Sequence, residues 1–161
     1  MKQTLKITLL VFFLATTCLA DQSSPDGAVT DFYGWYQQAG FKYRDKFVEA
    51  EPYFTEEFYG LLKTGFKRSQ GPDFWVDFDP FVNAQMEAQK ISVGKPSSQG
   101  ADLAMVPMTP TYGRGGASNY EGPVIKLYVK RAGEDWKIAN IVYGGDHPFE
   151  LKAFLEKGLG R

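Results

Sequence analysis

Residues 74–85 read FWVDFDPFVNAQ, and within them Asp77 and Asp79 are the side chains whose spacing could do chemistry. In an extended stretch, residues two apart face the same way. Two carboxylates brought together push their pKa values apart, so that one can act as acid and the other as base. Phe74, Trp75 and Phe78 would desolvate such a pair. The same residues have a plainer reading. Aspartate is a favoured helix cap and proline a favoured first helical residue, so Asp79-Pro80 reads as the start of a short helix continuing through Phe81, Val82, Ala84 and Gln85. The capping reading is preferred. Calcium is disfavoured because the EF-hand spacing is missing and proline follows the second acid, where further oxygen ligands would be needed.

Other candidates carry less. His147 is the only histidine and lies between Asp146 and Pro148. A lone histidine makes no zinc site unless carboxylates supply the remaining ligands, and a capping or surface role is expected for it. The stretch from Tyr112 through Gly113, Arg114, Gly115 and Gly116 to Ser118 could offer backbone N–H groups to an anion, with Arg114 as counter-charge. It lacks the Gly-Lys-Ser/Thr ending of a phosphate loop and no helix follows. A hairpin tip is expected there, with Tyr112 and Arg114 as a candidate partner contact. No metal site and no cofactor motif is read.

These residues must be positioned by a chain of 161 residues whose first twenty follow a three-part pattern. Lys2 and Lys6, an apolar run over Ile7 to Ala15, and Cys18-Leu19-Ala20 form the three parts of a secretory signal, with cleavage after Ala20. A lipid anchor at Cys18 is the alternative, although Leu14 stands one place too far back for a lipoprotein motif. Residues 21–161 then form a single domain in the periplasm, with no transmembrane segment. Losing Lys2 and Lys6 leaves 16 basic against 19 acidic residues, a net charge of −3, which argues against nucleic acid as a partner. The only cysteine leaves with the signal, so the core alone must hold the domain.

Ser24-Pro25 caps a first helix whose apolar face is Val29, Phe32, Tyr33 and Tyr36 at i, i+3, i+4 and i+7, ended by Gly40. Gly40 to Pro52 reads as a connection. A second helix begins at Thr55 and buries Phe58, Leu61, Leu62 and Phe66. From Gln89 the pattern changes to strands, around Ile91 and Val93, over Leu103 to Tyr112, over Val124 to Lys130 and over Trp136 to Tyr143. Lys95 to Gly100 reads as a turn and Gly113 to Gly122 as a loop. Pro107 cannot donate to a ladder and is expected at an edge or a bulge. Ile141 is out of step with Trp136 and Ile138, which requires a covered second face or a bulge. A last helix starts at Pro148, with Leu151, Phe154 and Leu155 inward and Gly158 near its end. Helices followed by strands imply an α+β fold with an antiparallel sheet.

Three stretches carry a resemblance: the FYGWY helix (Phe32 to Tyr36), the DFDPF segment followed by Gln85, and GEDWKIANI (Gly133 to Ile141). Together they resemble a bacterial envelope family known as domain of unknown function 3828, similar to the nuclear transport factor 2-like or cystatin-like cone folds. The resemblance spans roughly residues 25–158. It implies a curved antiparallel sheet of about four strands packed on N-terminal helices and a C-terminal helix, cone-like, with a cavity between. It implies no activity, and fold does not decide function.

The expected function is a non-enzymatic binding or interaction module whose partner is an unknown protein or a small apolar ligand. Its candidate pocket is Trp35, Tyr36, Asp77, Asp79, Gln85 and Trp136. One alternative is a small cone-fold enzyme, isomerase- or lyase-like, with Asp79 or Asp77 as base. Another is a lipid-anchored envelope structural protein.

Overall fold

A computed structural model describes residues 22–69, 76–114, 117–145 and 148–161. The signal segment with Cys18, and also Phe74, Trp75, Gly115, Gly116, Asp146 and His147, lie outside the described residues. The fold is α+β, with helices packed on an open antiparallel sheet.

Helix α1 spans Pro25–Ala39. The Ser24 hydroxyl accepts from the Gly27 amide at 3.1 Å, which satisfies one of the donors left free at a helix start. Its predicted face, Val29, Phe32, Tyr33 and Tyr36, is buried. Gly40 ends the helix at φ 54°, a conformation that favours glycine. Two 3-10 segments, Gly40–Lys42 and Phe47–Tyr53, lead to α2, Glu56–Arg68, which buries Phe58, Leu61, Leu62 and Phe66.

The sheet has seven strands: β1 Lys90–Val93, β2 Ser97–Gly100, β3 Leu103–Arg114, β4 Ala117–Glu121, β5 Ile125–Ala132, β6 Asp135–Tyr143 and β7 Phe149–Glu150. About four strands were expected from the resemblance. The difference arises because β3, 12 residues long, outlasts its neighbours. On one side β2 pairs with its first half and β1 with its second; on the other β5 gives way to β4. The predicted turn at 95–100 and loop at 113–122 therefore contain β2 and β4. Serine- and glycine-rich backbone pairs there because β3 offers it unpaired amides and carbonyls.

Pro107 sits inside β3 and not at an edge. Its carbonyl accepts from Gly94 N at 2.8 Å, so its missing donor points at the break between β1 and β2. No ladder bond is lost there, which reconciles proline with a central strand. In β6, Tyr128 faces Asn140 while Val129 faces Ile138, leaving Ala139 as the extra residue of a bulge. The bulge puts Trp136, Ile138, Ile141 and Tyr143 on the buried side together. At the same point Ile138 O accepts from Thr55 N at 3.0 Å, tying the start of α2 to the sheet.

The last helix, α3, spans Leu151–Leu159. Pro148 precedes it and residues Phe149 and Glu150 form β7, so the predicted start is three residues early. Gly160 at φ 70°, rather than Gly158, supplies its left-handed cap. Lys152 Nζ lies 2.7 Å from Glu57 Oε2, joining α3 to α2.

Candidate functional site

The DFDPF stretch is a tight turn and not a helix. Asp79 N donates to Ala84 O at 2.8 Å, closing a loop across Pro80 to Asn83. Asp79 Oδ1 accepts from Phe81 N at 2.9 Å, an aspartate bonding its own backbone two residues on. The predicted cap is thus present, but Asn83 takes φ 51° and stops any helix from propagating.

This turn is driven into the core. Phe81 and Val82 are fully buried. Among the described residues, six rings have centroids within 6.2 Å of the Phe81 ring, from Phe32, Tyr36, Tyr43, Phe47, Phe54 and Phe66. A turn so placed exposes its carbonyls to a dry interior, where each needs a donor. Three tyrosines supply them. Tyr143 Oη donates to Pro80 O at 2.5 Å, Tyr33 Oη to Phe81 O at 2.7 Å and Tyr112 Oη to Val82 O at 2.6 Å. A fourth, Tyr36, donates to Asp79 Oδ2 at 2.7 Å. Helix α1, β3 and β6 thus grip one turn, and the hollow between sheet and helices is filled by it.

The electrostatics follow from burial. Desolvation pushes Asp79 above the ordinary aspartate value; the Tyr36 hydroxyl, the Phe81 and Val82 amides and the Arg44 charge oppose it. Desolvation also pushes Tyr33, Tyr36, Tyr43 and Tyr143 well up, and Tyr112 up to about 12. All remain protonated donors at neutral pH.

Outside the turn lies a cleft of about 490 Å³. Tyr36, Asp77, Asp79 and Gln85 of the predicted pocket line it. Trp35 does not. One residue round α1 from Tyr36, it packs beside Phe32 and Tyr53, and its Nε1 donates to Glu49 Oε2 at 3.3 Å. Trp136 does not either. It is buried at the opposite end of β6 from Tyr143, under the Arg131 guanidinium at 4.6 Å, with its amide donating to Gln22 O. The predicted partner loop is also altered: Tyr112 is a buried strand residue engaged with Val82, and Arg114 ends β3 opposite Ala117.

The cleft contains residues that sequence reasoning passed over: Phe41, Tyr43, Arg44, Met86 and Glu87. Arg44 Nη2 donates to Val76 O at 3.2 Å and Phe78 O at 2.9 Å, and its Nε to Tyr43 Oη at 3.0 Å. It clamps the segment entering the turn. Phe41 is 81% exposed and Met86 45% exposed at the rim. A phenylalanine directly after the helix-ending glycine was the one available hint. Among the described residues, no group of three or more histidine, cysteine or acidic side chains is arranged to hold a metal ion, and no helix is long and apolar enough to cross a membrane. No family model and no curated protein matches the chain.

Proposed function

We propose that the protein is a non-enzymatic binding module of the periplasm and that the cleft beside the Asp79 turn holds a small ligand with an apolar body. The observation that carries this reading is the exposure of Phe41 and Met86 at the mouth of a cleft in the size range of ligand sites. Large apolar side chains grouped at a concave surface mark binding sites more often than single exposed ones do. The periplasmic location rests on the signal pattern of residues 1–20, and the kinship with domain of unknown function 3828 rests on the three quoted motifs.

Titration with the uncharged fluorophore N-phenyl-1-naphthylamine tests the cleft. One saturable site with blue-shifted emission is expected, weakened by Phe41→Ala with Met86→Ser. Non-saturable binding, or binding indifferent to both substitutions, would count against it.

The enzymatic reading has one observation in its favour, the desolvated carboxyl of Asp79 in the cleft wall. Against it, Oδ1 is held by the turn and Oδ2 by Tyr36, so both oxygens are committed to the fold. An activity abolished by Asp79→Asn with stability intact would reverse this preference.

A further inference from the structure

Charge in the cleft is unevenly spent. Among the described residues its one cation is Arg44, which directs Nε and Nη2 inward, to Tyr43 and to the backbone of Val76 and Phe78, and its guanidinium lies 5.7 Å from the Tyr43 ring centroid and 5.0 Å from that of Phe66. Two acids lining the cleft, Asp77 and Glu87, are solvent-exposed, and among the described residues neither is ion-paired. Glu87 Oε1 lies 3.4 Å from where a Cβ on Gly40 would stand, which places its carboxylate over the start of the Phe41 segment. Four aromatic residues share the lining: Tyr36, Phe41, Tyr43 and Phe78. Aromatic faces attract cations through their quadrupole, most strongly where water is excluded. Unpaired carboxylates add to that attraction, and an anion would meet two of them. Among the described residues no group of three or more such side chains could hold a metal ion. An organic cation needs no such convergent set, only aromatic surface and nearby negative charge.

Resting on the reading that this cleft binds a ligand, we propose that its ligand is a small organic cation, an alkylammonium or quaternary ammonium group on an apolar body. The apolar body lies against Met86 and Phe41, and the cationic head sits among the aromatic rings between Asp77 and Glu87. Arg44 holds the wall in place and does not meet the head group.

Three probes with one tail and different heads test this: hexyltrimethylammonium, 1-hexanol and hexanoate. Methyl resonances of Met86 and Ala84 report binding to the full mature chain. The cation is expected to bind about tenfold more tightly than either other probe, the factor that 1.4 kcal/mol represents. Asp77→Asn with Glu87→Gln, both exposed and outside the turn's hydrogen bonds, should remove most of that preference and leave hexanol unchanged. Hexanoate binding as tightly as the cation, or a cation affinity untouched by the double substitution, overturns the charge assignment while the cleft stands. Failure of all three probes to shift either methyl overturns the cleft as a ligand site, and this assignment with it.

Discussion

Replacing Asp79 separates a carboxylate that builds the turn from one that waits for a substrate. In Asp79→Ala the turn loses the acceptor for Phe81 N, a capping bond of about 1 kcal/mol. The Tyr36 hydroxyl, on a residue only 4% exposed, also loses its acceptor. A buried donor left unmatched costs about 1–3 kcal/mol. The variant should therefore lose about 2–4 kcal/mol, a large share of the 5–15 kcal/mol typical of a domain. Asp79→Asn keeps Oδ1 for Phe81, and its new amide can donate to the Tyr36 oxygen, but the Tyr36 O–H still loses its acceptor, so the loss should be smaller than that of the alanine variant, about 1–2 kcal/mol. Tyr36→Phe closes a double-mutant cycle with Asp79→Ala; the pair should show a coupling of about 1–2 kcal/mol. Urea unfolding followed by circular dichroism measures all of these, with an unchanged slope certifying that only stability moved. An Asp79→Ala midpoint equal to that of the parent, or zero coupling to Tyr36, would refute the claim that this carboxylate holds the turn. The pH dependence gives an independent sign. Folded Asp79 keeps its proton to higher pH than the ordinary 3.8. The folded state then binds more protons than the unfolded one, so this group's contribution to stability falls as pH rises from 3.8 through the raised value. Asp79→Asn should flatten that part of the profile.

Three further outcomes are expected. Tyr33, Tyr36, Tyr43 and Tyr143 are all pushed up by burial, so above pH 10 the unfolded chain ionises first and stability should fall by up to about 5 kcal/mol per pH unit for the four together; a smooth tyrosinate titration of the folded protein near the ordinary value would contradict this. Gly94→Ala would put a Cβ 2.8 Å from Pro107 Cγ, a rigid ring, and should cost about 1–3 kcal/mol by thermal unfolding, whereas a neutral result would show that the seam between β1 and β2 can shift. Mass analysis of the native protein should find a chain beginning at Asp21; an acylated Cys18 would replace the free periplasmic form with an anchored one.

Local patterns were legible where a segment's burial is decided by its own period. The 3.6-residue face of α1 and the alternation of Ile125, Leu127 and Val129 needed no tertiary information. Even the bulge in β6 left a mark, in the mismatch of Ile141 with Trp136. What could not be read was pairing set by distant partners. The tyrosines that hold residues 80–82 stand 63, 48 and 30 positions away in the chain, and their targets are backbone carbonyls, which every residue carries. β2 and β4 look like loops because their composition is that of loops, and only the length of β3 recruits them. The grouping of Tyr36, Asp77, Asp79 and Gln85 came from following one segment and one helix face. Trp35 lies off the centre of the α1 stripe and meets a neighbouring segment rather than the cleft, and Trp136 is buried at the far end of β6.

The chemical look of the DFDPF segment and the position of the cleft have one cause. A turn that enters a hollow lined by aromatics must bring its own polar closure, hence a carboxylate bonding its own amide, and large apolar tips, hence Phe81 and Val82. Its two legs, residues 76–79 and 84–88, must then return to the surface past the end of α1. At that end Gly40 reverses the chain, and the segment through Arg44 runs alongside the entering leg, held to it by the Val76 and Phe78 carbonyls. Among the described residues the leaving leg has no comparable clamp from this segment. Ala84 to Glu87 on that leg and Gly40, Phe41, Tyr43 and Arg44 opposite line a gap, and that gap is the cleft. Filling the hollow from above therefore leaves an opening at its rim. The acids that flank the turn, freed from any role in closing it, are the groups a ligand would meet first.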